Sequence, residues 1–71
     1  MIAKKMFKIL GYEYADNNAL ISYDNPSLNI ITFDLKYKTY YTQLDISEHM
    51  DISPSVHKAI TQQMKELGWL D

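Results

Sequence analysis

The chain contains no cysteine and no arginine, and only two glycines and two prolines. Each shortage excludes something. Without thiols there is no disulfide to staple the fold and no thiolate zinc site. Arginine supplies the rigid fork that reads guanine and clamps phosphate. Its absence, with a net charge of −2 at pH 7, argues against sequence-specific nucleic-acid recognition. Two glycines leave no material for a phosphate-cradling loop. No apolar run approaches the roughly 20 residues of a membrane span. The first ten residues, MIAKKMFKIL, carry lysines inside their apolar pattern and do not read as a signal peptide. The expectation is a cytoplasmic protein with no membrane partner, standing on packing alone or on self-association.

What is present suits a small fold. The 71 residues make one domain, 1–71, of which 46% is hydrophobic, too much for a disordered tail. Six tyrosines, two phenylalanines and one tryptophan supply bulky filler. A core of this size contributes roughly 3–5 kcal/mol.

Two stretches resemble each other, KILGY at 8–12 and KELGW at 65–69. Each closes a helix. Over 2–10, Ile2, Ala3, Met6, Phe7, Ile9 and Leu10 fill one arc at the helical period, with Lys4, Lys5 and Lys8 opposite. Over 54–67, Val56, Ile60, Met64 and Leu67 line one face with Ala59 at its edge, and Lys58, Gln62, Lys65 and Glu66 lie opposite. Ser53 is placed to cap this second helix, and Pro54 occupies its first position. Gly11 and Gly68 stop the two helices. The aromatic that follows each glycine should fold back on its helix, Tyr12 on Phe7 and Trp69 on Met64. No fixed period recurs, so the likeness is shared stop chemistry rather than a duplicated site.

Between the helices the period is two. ALISY at 19–23, NIITFDL at 29–35 and TYYTQLD at 39–45 read as three strands, separated by a turn at Asp24-Asn25-Pro26-Ser27 and a tight turn at Lys36-Tyr37. The second hairpin should pair Asp34 with Thr39, Phe33 with Tyr40, Thr32 with Tyr41 and Ile31 with Thr42. The fold class is therefore α+β: helix, three-stranded antiparallel meander, helix, with both helices on one sheet face. Ile21, Tyr23, Ile31, Phe33, Leu35, Tyr40 and Leu44 should face Phe7, Leu10, Val56, Ile60, Met64, Leu67 and Trp69. The other sheet face would carry Ile30, Thr32, Tyr41 and Gln43.

Three groups of residues are candidates for function. On the outer sheet face, Ile30, Thr32 and Tyr41 could meet a protein or stack on a base; an ordinary strand face also uses such residues. The Lys4, Lys5 and Lys8 wedge could meet phosphate or an acidic partner, or simply keep a small helix solvated. The acidic loop holds Asp45, Glu48, His49 and Asp51, with His57 a turn into the last helix beside its apolar face. None of these has a recognised metal-ligand spacing, so no metal or other cofactor is assigned, and negative charge is favourable before a helix N-terminus in any case. No serine sits in a nucleophile elbow, and no catalytic residue is assigned.

The stretches MFKILGYEYADN, IITFDLKYKTYY and HKAITQQMKELGWLD resemble a group of small phage- or prophage-associated proteins of Gram-positive bacteria. These share a first helix ending in LGY, a strand reading FDL before a lysine-bearing turn, and a last helix closing on ELGW. Tyr37 departs from the small polar residue expected at that turn. The resemblance implies a phage accessory setting and supplies no catalytic or binding residue. The resulting expectation is a non-enzymatic protein-interaction module using Ile30, Thr32 and Tyr41 with Glu48, His49 and Asp51. The alternative is weak nucleic-acid binding through Lys4, Lys5 and Lys8 or the outer sheet face. Homodimerisation through an edge strand is a further expectation.

Overall fold

The computed structural model describes residues 1–43 and 52–70. Among these residues two helices, α1 (Ala3–Ile9) and α2 (Pro54–Glu66), flank four strands, β1 (Glu13–Asp16), β2 (Leu20–Asn25), β3 (Asn29–Asp34) and β4 (Thr39–Gln43). The strands form one antiparallel meander in the order β1-β2-β3-β4. Both helices lie on the same face of it, around a core of Ala3, Phe7, Tyr12, Tyr23, Ile31, Phe33, Val56, Ala59 and Ile60. The α+β architecture stands, with four strands in place of three.

The added strand is β1. Its Tyr14 lies on the helix-covered side, while Glu13 and Ala15 are exposed. This is the period-two alternation of a half-covered strand, compressed into four residues between a helix stop and a turn. Asn17 makes that turn. Its Oδ1 accepts from the backbone N–H groups of Ala19 and Leu20 at 2.8 and 2.9 Å, an Asx turn that reverses the chain into β2.

The β3–β4 register is the expected one, from Asp34↔Thr39 through Ile31↔Thr42, and continues to Ile30↔Gln43. Asp34 organises the turn between them by accepting from Lys36 and Tyr37 N–H at 3.0 and 3.1 Å. The left-handed residue is Lys38, φ 56°. Tyr37 is therefore spared the positive φ that a bulky side chain resists, and its ring stands in solvent.

Both helix stops have the expected left-handed glycine, and Tyr12 folds back on Phe7 as expected. Gly11 and Gly68 have φ 91° and 77°. Tyr12 N–H donates to Phe7 O at 3.0 Å, and Trp69 N–H to Met64 O at 2.9 Å, the long bond of a Schellman ending. The trailing aromatics then reach inward. The Tyr12 ring meets Phe7 edge-on at 5.4 Å, while Trp69 lies 6.2 Å from Phe33. At the start of α2, Ser53 Oγ accepts from Val56 N–H at 3.2 Å.

Helix α1 sits rolled from the expected orientation. Ala3 and Phe7 are fully buried, but Ile2 and Ile9 are 59% and 66% exposed. The cause is the Phe7 ring, which stacks on Tyr23 at a centroid distance of 3.9 Å. Centring the helix on Phe7 swings Ile2 and Ile9 outward, since they lie about 140–160° round from it at the helical period. The same roll draws Lys4 in, so that its Nζ lies 4.3 Å from the centre of the Tyr14 ring. Ile2 offers no side-chain cap to α1. Glu66, from the far end of the chain, accepts from Ala3 N–H at 2.7 Å instead, placing a carboxylate at the positive end of the helix.

Tyr40 is also more open than expected on the covered face, at 41% exposure, because its strand is an edge with no neighbour beyond it among the described residues. Leu35 is half-buried. Leu44 lies outside the described residues.

The two glycines should differ in tolerance. A Cβ on Gly11 would lie 3.2 Å from Asn25 Nδ2, which itself donates to Leu10 O at the helix end. A Cβ on Gly68 meets nothing within 4 Å. Gly68→Ala should cost about 1–2 kcal/mol of backbone strain alone. Gly11→Ala should cost about 1 kcal/mol more through the displaced hydrogen bond. Denaturant unfolding of the two variants checks this, and equal losses would contradict it.

Candidate functional site: the uncovered sheet face

Side chains on the sheet face away from the helices are ordered by the strand registers. Ala15 pairs with Ser22, Ser22 with Thr32 and Thr32 with Tyr41, so these four form one row across the sheet. Three small side chains followed by a tyrosine produce a trough with one wall. Ala15, Asp16, Asn17, Leu20, Ser22, Thr32 and Tyr41 line this depression, whose volume is about 160 Å³. Ser22 Oγ and Thr32 Oγ1 lie 3.5 Å apart on its floor.

The expected contact residues play different parts in it. Tyr41 is 44% exposed and forms the wall. Thr32 is buried at 5%, because it sits on the inner strand β3 between Ser22 and the Tyr41 ring; it is floor rather than contact surface. Ile30 is half-buried in the next row, Glu13–Asp24–Ile30–Gln43. Glu13 and Asp24 stand directly opposite each other there and are both exposed. Like charges so placed repel, and together they give this end of the face a negative potential. Ala15 and Ser22 complete the site, and neither is among the sequence's own candidates. Ala15 belongs to β1, which the sequence pattern does not reveal, and joins the row through Ser22, the direct partner of Thr32.

The other candidates fare unevenly. Glu48, His49 and Asp51, with Asp45, lie outside the described residues. His57 is exposed rather than tucked against the apolar face of α2. Among the described residues, no three His, Cys, Asp or Glu side chains come close enough to share a metal ion. The lysine wedge is partly engaged, with Lys4 held over Tyr14. Lys5 and Lys8 flank Ile2 and Ile9 on an open surface depression along α1. No helix of the described residues is long and apolar enough to cross a membrane.

Among the described residues, the titratable groups with altered behaviour are Tyr12, Tyr14 and Tyr23. Tyr23 is buried, and its hydroxyl donates to Gln63 Oε1 at 2.5 Å. Burial, followed by the nearby charges of Tyr14 and Glu66, raises its pKa well above the ordinary 10.0. Tyr14 is raised by burial and by donating to Asp16 Oδ2. Tyr12 is raised by burial, partly offset by its hydrogen bond to Asn29. These bonds leave no buried side-chain polar atom without a partner among the described residues. The buried polar side chains among the described residues are thus satisfied within the fold.

Compared with known protein families, with curated proteins and with solved structures, the chain shows no match. Its own geometry therefore carries the functional reading.

The raised tyrosines set a direction for alkaline stability. In the unfolded chain they lose protons near the ordinary value of 10.0, while in the fold Tyr23 retains its proton well above that. Above pH 10 the unfolded state binds fewer protons, so stability falls as pH rises, by up to about 1.4 kcal/mol per pH unit for Tyr23. The unfolding midpoint should be insensitive to this group below pH 10 and drop above it, with tyrosinate absorbance rising as helical ellipticity is lost. Complete tyrosine titration with the fold intact would contradict this.

Proposed function

We propose that the chain is a non-enzymatic protein-interaction module that binds through its uncovered sheet face, in the phage accessory setting its sequence suggests. One observation carries the reading: a four-stranded sheet with one face packed on helices and the other left with a trough floored by small residues and walled by Tyr41. Tyrosine is enriched at interfaces because it brings a large rigid apolar surface with a polar tip. The trough volume of about 160 Å³ is below the range of roughly 300–1,000 Å³ common for small-molecule sites. It suits one inserted side chain of a partner better than a substrate. The carboxylates of Glu13 and Asp24 favour a partner whose adjoining surface is basic, and they disfavour a nucleic-acid backbone.

The test uses the chain immobilised and exposed to extract of the producing cells, with the retained protein identified and its affinity then measured directly. Tyr41→Ala should leave the thermal midpoint nearly unchanged, since the side chain is half in solvent, and weaken binding by about 1–3 kcal/mol if it acts as an anchor. Ala15→Arg, which fills the trough from its opposite end, should do the same and add like-charge repulsion toward a basic partner. A partner held equally by both variants, or a large stability loss from Tyr41→Ala, would defeat the reading.

A further inference from the structure

The two edges of the sheet are built differently. The β1 edge is short and carries Glu13 and Asp16, α1 packs against it, and Lys4 lies over its Tyr14. Charge, brevity and a covering helix are the ordinary means of keeping an edge from pairing with another chain. The β4 edge has none of them among the described residues. Its sequence, Thr39-Tyr40-Tyr41-Thr42-Gln43, has no charge and no proline and is rich in β-formers. Among the described residues its only strand neighbour is β3. Both tyrosines are over 40% exposed, although aromatics on a strand are stabilised by cross-strand neighbours.

We propose that β4 pairs with β4 of a second copy, antiparallel and two-fold symmetric about Tyr41, joining two sheets into one of eight strands. The sequence is self-complementary in this register. Centring on Tyr41 places Thr39 opposite Gln43 of the second copy and Tyr40 opposite Thr42, so all five residues of the strand take part. Tyr41 meets its own counterpart on the uncovered face, and an aromatic pair there is a favourable cross-strand combination. On the covered face Tyr40, already 5.7 Å from Phe33, gains a neighbour in the second copy's Thr42, extending the core layer across the junction. A two-fold contact of this kind closes on itself and leaves no further β4 edge. It also enlarges the core of a chain too short to bury much alone. The inference does not rest on the trough reading: the two share Tyr41, but pairing needs the backbone edge of β4, whereas partner binding needs the whole row from Ala15 to Tyr41.

The natural absence of cysteine makes the register directly testable. Across the proposed two-fold axis the Tyr41 Cα atoms would lie about 4.5–5.5 Å apart, within the span of a disulfide. The two Thr39 Cα atoms would be displaced by four residues, or about 13 Å. Under mild oxidation, Tyr41→Cys should become a covalent dimer and Thr39→Cys should not. The unmodified chain should show a doubling of its 8.3 kDa molar mass as concentration rises from micromolar to millimolar in sedimentation equilibrium. Thr42→Lys, which places a charge at the junction, should hold it at the monomer mass, and Ala15→Arg should leave association unchanged. A monomer at every concentration, equal cross-linking at the two positions, or a dimer that survives Thr42→Lys with native ellipticity would each overturn the proposal. Should Thr42→Lys fail to fold, the molar mass of the unmodified chain and the cross-linking pair decide it alone.

Discussion

Tyr23 is the point at which every layer of this protein meets. Its ring stacks on Phe7 of α1 at 3.9 Å, meets Tyr14 of β1 edge-on at 5.4 Å and lies perpendicular to Phe33 of β3 at 6.1 Å. Its hydroxyl reaches Gln63 of α2. One side chain of β2 thus touches both helices and both neighbouring strands. A 71-residue chain cannot stack many such layers, so a single large residue serving four neighbours economises on core volume. The hydroxyl adds a constraint that a phenylalanine would lack. A buried donor must have its acceptor, which fixes how α2 is rotated and how far along the sheet it sits.

The second constraint is closure of the ends. A helix of 7 residues such as α1 is too short to be stable alone, and its first turn has no side-chain cap of its own. Glu66 supplies the missing acceptor from the last turn of α2 and is itself oriented by Gln62 Nε2 at 2.9 Å. At the other end of α1, Asn25 Nδ2 donates to Leu10 O at 3.3 Å, and Tyr12 is held through its hydroxyl by Asn29 at 2.6 Å. Both ends of the short helix are therefore capped by residues distant in sequence. Such a helix forms with the tertiary structure rather than before it.

These tertiary contacts explain which parts of the fold are legible in the sequence and which are not. Helix stops, the Ser53 cap and the β3–β4 register are local, set by one glycine, one hydroxyl or one alternating pattern, and all are readable. The roll of α1 is not local. The apolar arc from Ile9 to Phe7 is wider than the face that one 7-residue helix can bury, and only the Phe7–Tyr23 stack decides which part of it is used. Gln63 lies inside the apolar arc of α2, between Val56 and Ala59 at the helical period. A polar residue in the middle of an apolar stripe signals a buried partner, and that signal was there to be read. The role of Glu66 was hidden because its partner is a backbone N–H, which no side-chain pattern reports. Strand β1 was obscured by its brevity, and with it the small-residue floor of the trough.

The same economy decides where function can reside. Every buried side-chain polar atom among the described residues is already bonded, and stacked rings fill the core between them. What a one-sided sheet leaves over is a face and an edge. The face has a floor of Ala15, Ser22 and Thr32 where larger β-formers would fill the surface more completely, and the edge lacks the charges that guard β1. The trough runs from Ala15 to Tyr41 and the edge runs through Tyr41, so at that residue side-chain surface and backbone hydrogen-bonding groups are presented together. The aromatic and hydrogen-bonded contacts that tie the layers together are thus concentrated about Tyr23 and the helices, while the β4 side, where pairing is proposed, joins them through the Phe33–Tyr40 contact.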